Sequence, residues 1–226
     1  MERSSQASAT LPRVLYLGKG WDNYLEGVTG FDFYLDSNAG RYGWEGTAFF
    51  DSLSAETLAT HKVVAMYGLK WRDRAVGEGA LRRYVEQGGS VVFDASANLG
   101  ALPYSLMDTV VFDTVVRRRL LPENASIRVT ETFADAHPGF ATVIAARFVN
   151  EDGGQWYGAD YEPLPGTDGG TVLATIDGRP LIIMKRIGKG RVYLAGYNLV
   201  WHASVMGSGD EGALVRAVFQ DALKAQ

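Results

Sequence analysis

Three histidines, no cysteine and a serine placed just after a strand-like run are what this chain offers for chemistry. The lack of cysteine removes disulfides, thiolate metal sites and thiol nucleophiles together. His61, His137 and His202 are scattered, and no two have the spacing that sets a pair of imidazoles on one helix face, so no zinc site is expected. Ser96 follows the run SVVFDA at 90–95. A serine hydroxyl is essentially un-ionised near neutrality and needs a base to attack anything. His202 is the candidate base, and Asp94 the candidate charge behind it, although alternation with Phe93 and Ala95 turns Asp94 away. The competing reading makes Ser96 and Asn98 turn residues and His202 a hydrogen-bonded residue near the core. Asp22-Asn23, Asn150-Glu151-Asp152 and Asp168 are acidic loops without the alternating pattern of a calcium loop. The two Gly-Lys-Gly triplets are too short to cradle a phosphate. No metal and no cofactor is therefore expected.

The elements that would carry these residues can be read from apolar patterning. Runs at 13–18 (RVLYLG), 62–69 (KVVAMYGL) and 90–95 fit buried strands. Phe31–Leu35 alternates as a strand should, and Ser54–Leu58 reads as an N-capped helical turn. Leu81, Tyr84 and Val85 share a face of a helix over 77–87 that Gly88-Gly89 ends. Strand, crossover, strand, helix, strand predicts a mainly parallel sheet. Ile127–Phe133, Phe140–Val149 and Thr171–Ile176 read as further strands. Asp177-Gly178 marks a tight hairpin into Leu181–Met184, and Arg191–Gly196 follows. Asp210 opens a last helix with Leu214, Val215, Val218, Phe219 and Ala222 on one face. Residues 156–170 read as a long loop.

Composition narrows the class. The chain has 226 residues, 46% hydrophobic and 21% charged, with a formal net charge of −4, which is ordinary for a globular protein. Arg117-Arg118-Arg119 is an isolated basic group and no basic stripe extends from it, so no nucleic-acid partner is expected. No apolar run approaches the roughly 20 residues that span a bilayer. Met1–Leu11 is polar and reads as a disordered lead before a single domain over 12–226. The expected location is the cytoplasm, the other option being a soluble extracytoplasmic domain of a larger membrane protein.

Three segments resemble the class I glutamine amidotransferase-like superfamily, closest to its putative-amidotransferase and trehalose-utilisation-type branches. They are RVLYLG at 13–18, ALRRYVEQGGSVVFDAS at 80–96 and GRPLIIMKRIGKGRVYLAGYNLVWHAS at 178–204. The resemblance implies a flavodoxin-like, three-layer α/β fold: a mainly parallel sheet with helices on both faces, plus a C-terminal β-hairpin extension. Active members carry a cysteine on the turn after the third of these strands, and a later strand delivers His followed two residues on by Glu. Here Ala95 or Ser96 stands at the nucleophile turn, His202 matches the histidine, and Ser204 stands where the glutamate would be. Tyr67-Gly68-Leu69 matches the strand end whose N–H groups hold the oxyanion. Cysteine-based glutaminase chemistry is excluded.

Two readings follow. In the first, the scaffold is non-catalytic and binds a small molecule or a partner protein. Gly68, Leu69, Trp71 and Trp201 then line a crevice at the carboxyl ends of the strands, where open α/β sheets take ligands. In the second, the chain is a hydrolase using Ser96, His202 and Asp94, with a carbohydrate-linked substrate in view. Self-assembly into a homo-oligomer, through a sheet edge or the 97–155 stretch, is a third role.

Overall fold

The computed structural model describes residues 14–17, 33–34, 55–66, 74–94, 109–149 and 152–224. In chain order the elements begin with β1 (Val14–Leu17), β2 (Phe33–Tyr34), α1 (Ala55–Ala59), β3 (Val63–Met66), α2 (Arg74–Glu86) and β4 (Ser90–Asp94). Next come β5 (Thr109–Val111), β6 (Thr114–Leu120), β7 (Asn124–Val129), α3 (Glu131–Ala136) and β8 (Val143–Arg147). The last are β9 (Tyr157–Pro163), β10 (Thr171–Ile176), β11 (Arg179–Ile187), β12 (Gly190–Ala195), α4 (Leu199–Val205) and α5 (Gly209–Lys224).

A nine-stranded sheet runs in the order β2-β1-β3-β4-β12-β11-β10-β7-β8, and β5-β6-β9 form a second sheet of three. Only β2-β1-β3-β4-β12 is parallel. From β12 outward to β8 every pairing is antiparallel, as is the whole second sheet. The flavodoxin-like expectation is therefore overturned: the sheet is mixed and curls into a half-barrel, with 31% of the described residues helical against 41% in strands. Strand-like composition reports burial and β-branching, and says nothing about which neighbour a strand will choose or in which direction.

The hairpin signal at Asp177-Gly178 does form. Both residues have positive φ (52° and 73°), the backbone that a two-residue turn matching strand twist requires, and glycine takes it without steric cost. The hairpin is no C-terminal extension. β11 runs between β10 and β12 inside the sheet, and β12 then docks parallel to β4, Arg191 opposite Ser90 and Ala195 opposite Asp94. β12 thus joins the parallel and antiparallel halves.

Other boundaries shift for local reasons. The run at 127–133 splits at Thr130: β7 ends at Val129 and α3 buries Phe133. The supposed loop at 156–170 contains β9, hidden from a period-two reading by its Tyr-Gly-Ala-Asp-Tyr-Glu-Pro content. Residues 200–204, aligned above with a strand, lie in helix α4. A seven-residue apolar stretch is too short for periodicity to separate the two.

Packing explains the layout. β3 is buried along its whole length, as a central parallel strand must be. On one side α5 buries Leu214, Val215, Val218, Phe219 and Ala222 against Val92, Ile127, Ile144, Tyr193 and Ala195. On the other side α2 buries Leu81, Tyr84 and Val85 beside Val64, Val91 and Leu194. The rest of that second face is covered by the small sheet, through Val111, Phe112, Val116, Ala159 and Tyr161. Among the described residues, one long helix on each side plus an antiparallel sheet stands where helical layers were expected.

Candidate functional site

β12 delivers the chain to the site. It ends at Ala195, and Gly196, Tyr197 and Asn198 lead directly into α4, which carries Trp201 and His202. His202 is fully buried. Its Nδ1 lies 2.7 Å from Glu211 Oε1, and its Nε2 lies 3.0 Å from the carbonyl oxygen of Arg147. The Tyr197 hydroxyl donates to the same Glu211 oxygen at 2.9 Å. A carbonyl can only accept, so Nε2 carries hydrogen, and the Nδ1–Oε1 contact holds one proton between ring and carboxyl. Aromatic rings close around the imidazole: Phe148 at 4.6 Å, Trp156 at 5.5 Å and Tyr197 at 5.6 Å between centroids.

This arrangement supplies a carboxylate that spacing within the 200–204 segment did not provide. Ser204 bonds back to the Val200 carbonyl at 2.8 Å, in the i−4 pattern of a helical serine. The orienting acid is Glu211, from the first turn of α5. Glu211 sits three residues before Leu214, four before Val215 and seven before Val218, so it falls on the apolar stripe of that helix. An acid on a buried stripe needs a partner, and that was the signal available in the sequence. Tyr197 and Asn198 carried no comparable pattern.

The strand end next to this pair is roofed. Tyr161 donates its hydroxyl hydrogen to the Ala195 carbonyl at 2.6 Å, and the Ala159 N–H donates to the Gly196 carbonyl at 2.7 Å. β9 approaches so closely that a Cβ on Gly158 would collide with the Gly196 oxygen. The two carbonyls at the end of β12 are thereby committed to β9.

Trp201 is half-buried and stacks on the buried Trp156, centroids 5.4 Å apart and planes at 31°. The structure therefore brings Trp201 and His202 together with Trp156. Asp94 closes β4 opposite Ala195. Ser96, Gly68, Leu69 and Trp71 lie outside the described residues, as do Asn150 and Glu151.

Two other polar clusters hold the frame. Asp221 on α5 accepts from the Tyr193 hydroxyl (2.6 Å) and from Arg191 (2.8 Å), with His137 Nε2 at 3.5 Å. Burial alone would raise the Asp221 carboxyl, but the Tyr193 and Arg191 hydrogen bonds and the nearby positive charge hold it below its ordinary range. On the opposite face Lys185 Nζ reaches the Phe112 carbonyl (2.8 Å) and the Thr114 hydroxyl (2.9 Å). These oxygens flank a turn in which Phe112 and Asp113 both have positive φ. Burial pulls the Lys185 ammonium below its usual range, with Asp113 and Asp168 opposing. Among the described residues no three His, Asp or Glu side chains converge as a metal site, and no helix is long and apolar enough to cross a membrane.

No family model matches this sequence, and no curated protein matches it. Solved structures do. The chain is similar to the N-terminal domain of mmIFT52 (TM-score 0.59, 12% identity, 95% of this chain and 98% of that one). It is similar to a ThuA-like protein of Bacteroides uniformis (TM-score 0.56, 13% identity, 96% and 95%) and to a cytoplasmic protein of Salmonella typhimurium LT2 (0.55, 13%, 92% and 96%). It also matches 31% of a β-galactosidase from Rahnella sp. R3, at a TM-score of 0.56 and 12% identity. At these identities the likeness is one of fold alone.

Proposed function

We propose that this chain is a non-catalytic domain on an amidotransferase-like scaffold, which binds a small molecule or a partner protein. One observation carries the reading. His202, the residue that matches the family's base, has both ring nitrogens bonded within the protein, and its ring is fully buried. A general base must reach the proton it abstracts, directly or through one water. A ring whose second nitrogen donates to Arg147 is a structural tie between α4, α5 and the end of β8. The cysteine-free sequence and the β9 roof over the end of β12 support the same reading. The ThuA-like neighbour supports the scaffold assignment, and the Salmonella neighbour, a cytoplasmic protein, favours a cytoplasmic location.

The hydrolase reading gains a carboxylate in Glu211, completing a His–Glu pair, but Nε2, the nitrogen a serine would have to use, already has a partner. The experiment is to incubate the intact chain with glutamine and with an activated ester. Neither ammonia nor alcohol should be released above the uncatalysed rate. Turnover that disappears in Ser96→Ala would overturn the proposal.

A further inference from the structure

The amino ends of β3, β4 and β12 lie side by side, Val63 opposite Ser90 and Ser90 opposite Arg191. Five exposed cations gather there from separate parts of the chain. Lys62 precedes β3, and its carbonyl accepts from the Ser90 N–H at 2.9 Å. Arg83 is in the last turn of α2 and Lys224 in that of α5, where the Ala222 carbonyl accepts from the Ser90 hydroxyl at 2.9 Å. Arg186 stands opposite Arg191 near the end of β11, and Lys189 tips the turn from β11 into β12. None of the five has an ion pair among the described residues. Elsewhere Arg82, Arg117, Arg119 and Arg147 each face a carboxylate. On a chain of formal net charge −4, this end is a local reversal of sign. No run in the sequence shows it, because the fold assembles it from distant segments.

Helix dipoles account for a cation in the last turn of α2 and of α5, but not for Lys62, Arg186 and Lys189, which lie at strand ends and on a turn. That turn is held rigidly. A Cβ at Gly188 or Gly190 would run into the backbone of Glu86, Val85 or Gly89, and the Lys189 N–H donates to the Glu86 carbonyl at 3.1 Å. The Gly-Lys-Gly triplet, too short to cradle a phosphate, thus fixes one lysine among the other cations. Like charges gathered without counter-charges repel, and a partner of opposite sign relieves the repulsion.

We propose that this end of the sheet is a docking face for an acidic protein surface. The five cations set the sign, and their surroundings set the kind of polyanion. Glu86 is exposed within the patch. A phosphate backbone or an anionic bilayer is negative throughout and meets that carboxylate unfavourably, whereas a protein surface can set a base against it. The exposed large apolar side chains lie away from the patch: Val76 in the first turn of α2, and Val110, Leu120, Val143 and Val205 on β5, β6, β8 and α4. Nothing apolar here would enter a bilayer. The rings of α2, β4, β12 and α5 are all buried, so none offers a base a stacking face. The proposal rests on the binding-domain reading above and names the partner's chemistry. Turnover would sink that reading, whereas the binding data below decide this one.

Fluorescence anisotropy of labelled poly-glutamate, titrated with the full chain, tests it. Binding at low salt should weaken steeply as salt is added, because the contacts are exposed. Arg186→Glu with Lys189→Glu should raise Kd about tenfold or more, since each reversal turns an attraction into a repulsion. Glu86→Gln, which removes the acid from the patch, should lower Kd. Arg128→Glu reverses an exposed, equally unpaired charge on β7, outside the patch, and should shift Kd by less than about twofold. Circular dichroism checks the fold of each variant; if the double reversal does not fold, Lys189→Gln carries the comparison, with Kd raised about twofold or more. The proposal is overturned by no binding, by equal weakening in Arg128→Glu, or by unchanged or weaker binding in Glu86→Gln. Tighter binding of duplex DNA or of phosphatidylserine vesicles than of poly-glutamate overturns it as well.

Discussion

Replacing Glu211 with alanine removes the acceptor shared by the His202 ring and the Tyr197 hydroxyl, in a place water does not reach. Each orphaned buried donor costs about 1–3 kcal/mol, and breaking a buried pair by deleting one partner costs about 3–5 kcal/mol. The two estimates agree at roughly 3–5 kcal/mol, a large part of the about 5–15 kcal/mol that holds a domain together. For a chain of this length that corresponds to a fall in Tm of about 6–20 °C. Glu211→Gln should lose only about 1–2 kcal/mol. Its amide can donate to Nδ1 of a neutral His202, so that mainly the tyrosine hydrogen goes unmet. Urea unfolding followed by circular dichroism measures both variants, and a double-mutant cycle with His202→Ala should return a coupling of about 1–3 kcal/mol. A loss below about 1 kcal/mol in Glu211→Ala, or simple additivity in the cycle, would refute the claim that the pair is a structural tie.

Gly158→Ala forces β9 off the end of β12, because the new Cβ meets the Gly196 oxygen and the Leu121 side chain. It should cost at least about 1–3 kcal/mol, read as a lower urea midpoint. The Asp221 carboxyl is held below its ordinary range, so the unfolded chain binds more protons in acid. Its contribution is complete above about pH 5 and fades as pH falls below about 4, and the gap in Tm between wild type and Asp221→Asn should close over that interval. Lys185 has the opposite sense: its ammonium is pulled down by burial, and the unfolded chain holds the proton longer up to about pH 10.5. The Tm of wild type relative to Lys185→Met should therefore rise as pH climbs toward about 10.5.

Much of the local structure was legible because its causes are local. The Asp177-Gly178 turn, the apolar stripe of α5 and the paired glycines after α2 each depend on residues a few positions apart. Gly88 and Gly89 donate to the Val85 and Tyr84 carbonyls and close that helix as their spacing suggested. The sheet was misread because its order depends on partners distant in sequence. β6 pairs with β9, some forty residues on, with Val116 opposite Tyr161 and Arg119 opposite Gly158. Nothing within either strand announces the other. Arg119 shows the consequence: it reads as one of three surface arginines, yet it is buried against Asp160 (3.3 Å) and the Ile176 carbonyl (3.2 Å). Its neighbours Arg117 and Arg118 stay exposed.

The site was misread for a related reason, and the error bears on what a retained histidine means. Treating 200–204 as a strand puts the residue two positions beyond His202 beside it, which makes Ser204 the missing acid. In a helix that neighbour points elsewhere, and the side chains near His202 come from the chain before and after: Tyr197, and Glu211 across the elbow. The imidazole is thus positioned by a carboxylate, as a catalytic histidine would be, while its other nitrogen ties the helices to an edge strand. Orientation by an acid suits a base, but it serves equally well a buried imidazole that must keep both nitrogens bonded. What separates the two cases is the destination of the second nitrogen. Here it is a backbone carbonyl, Arg147, so the pair acts on the shape of the sheet edge.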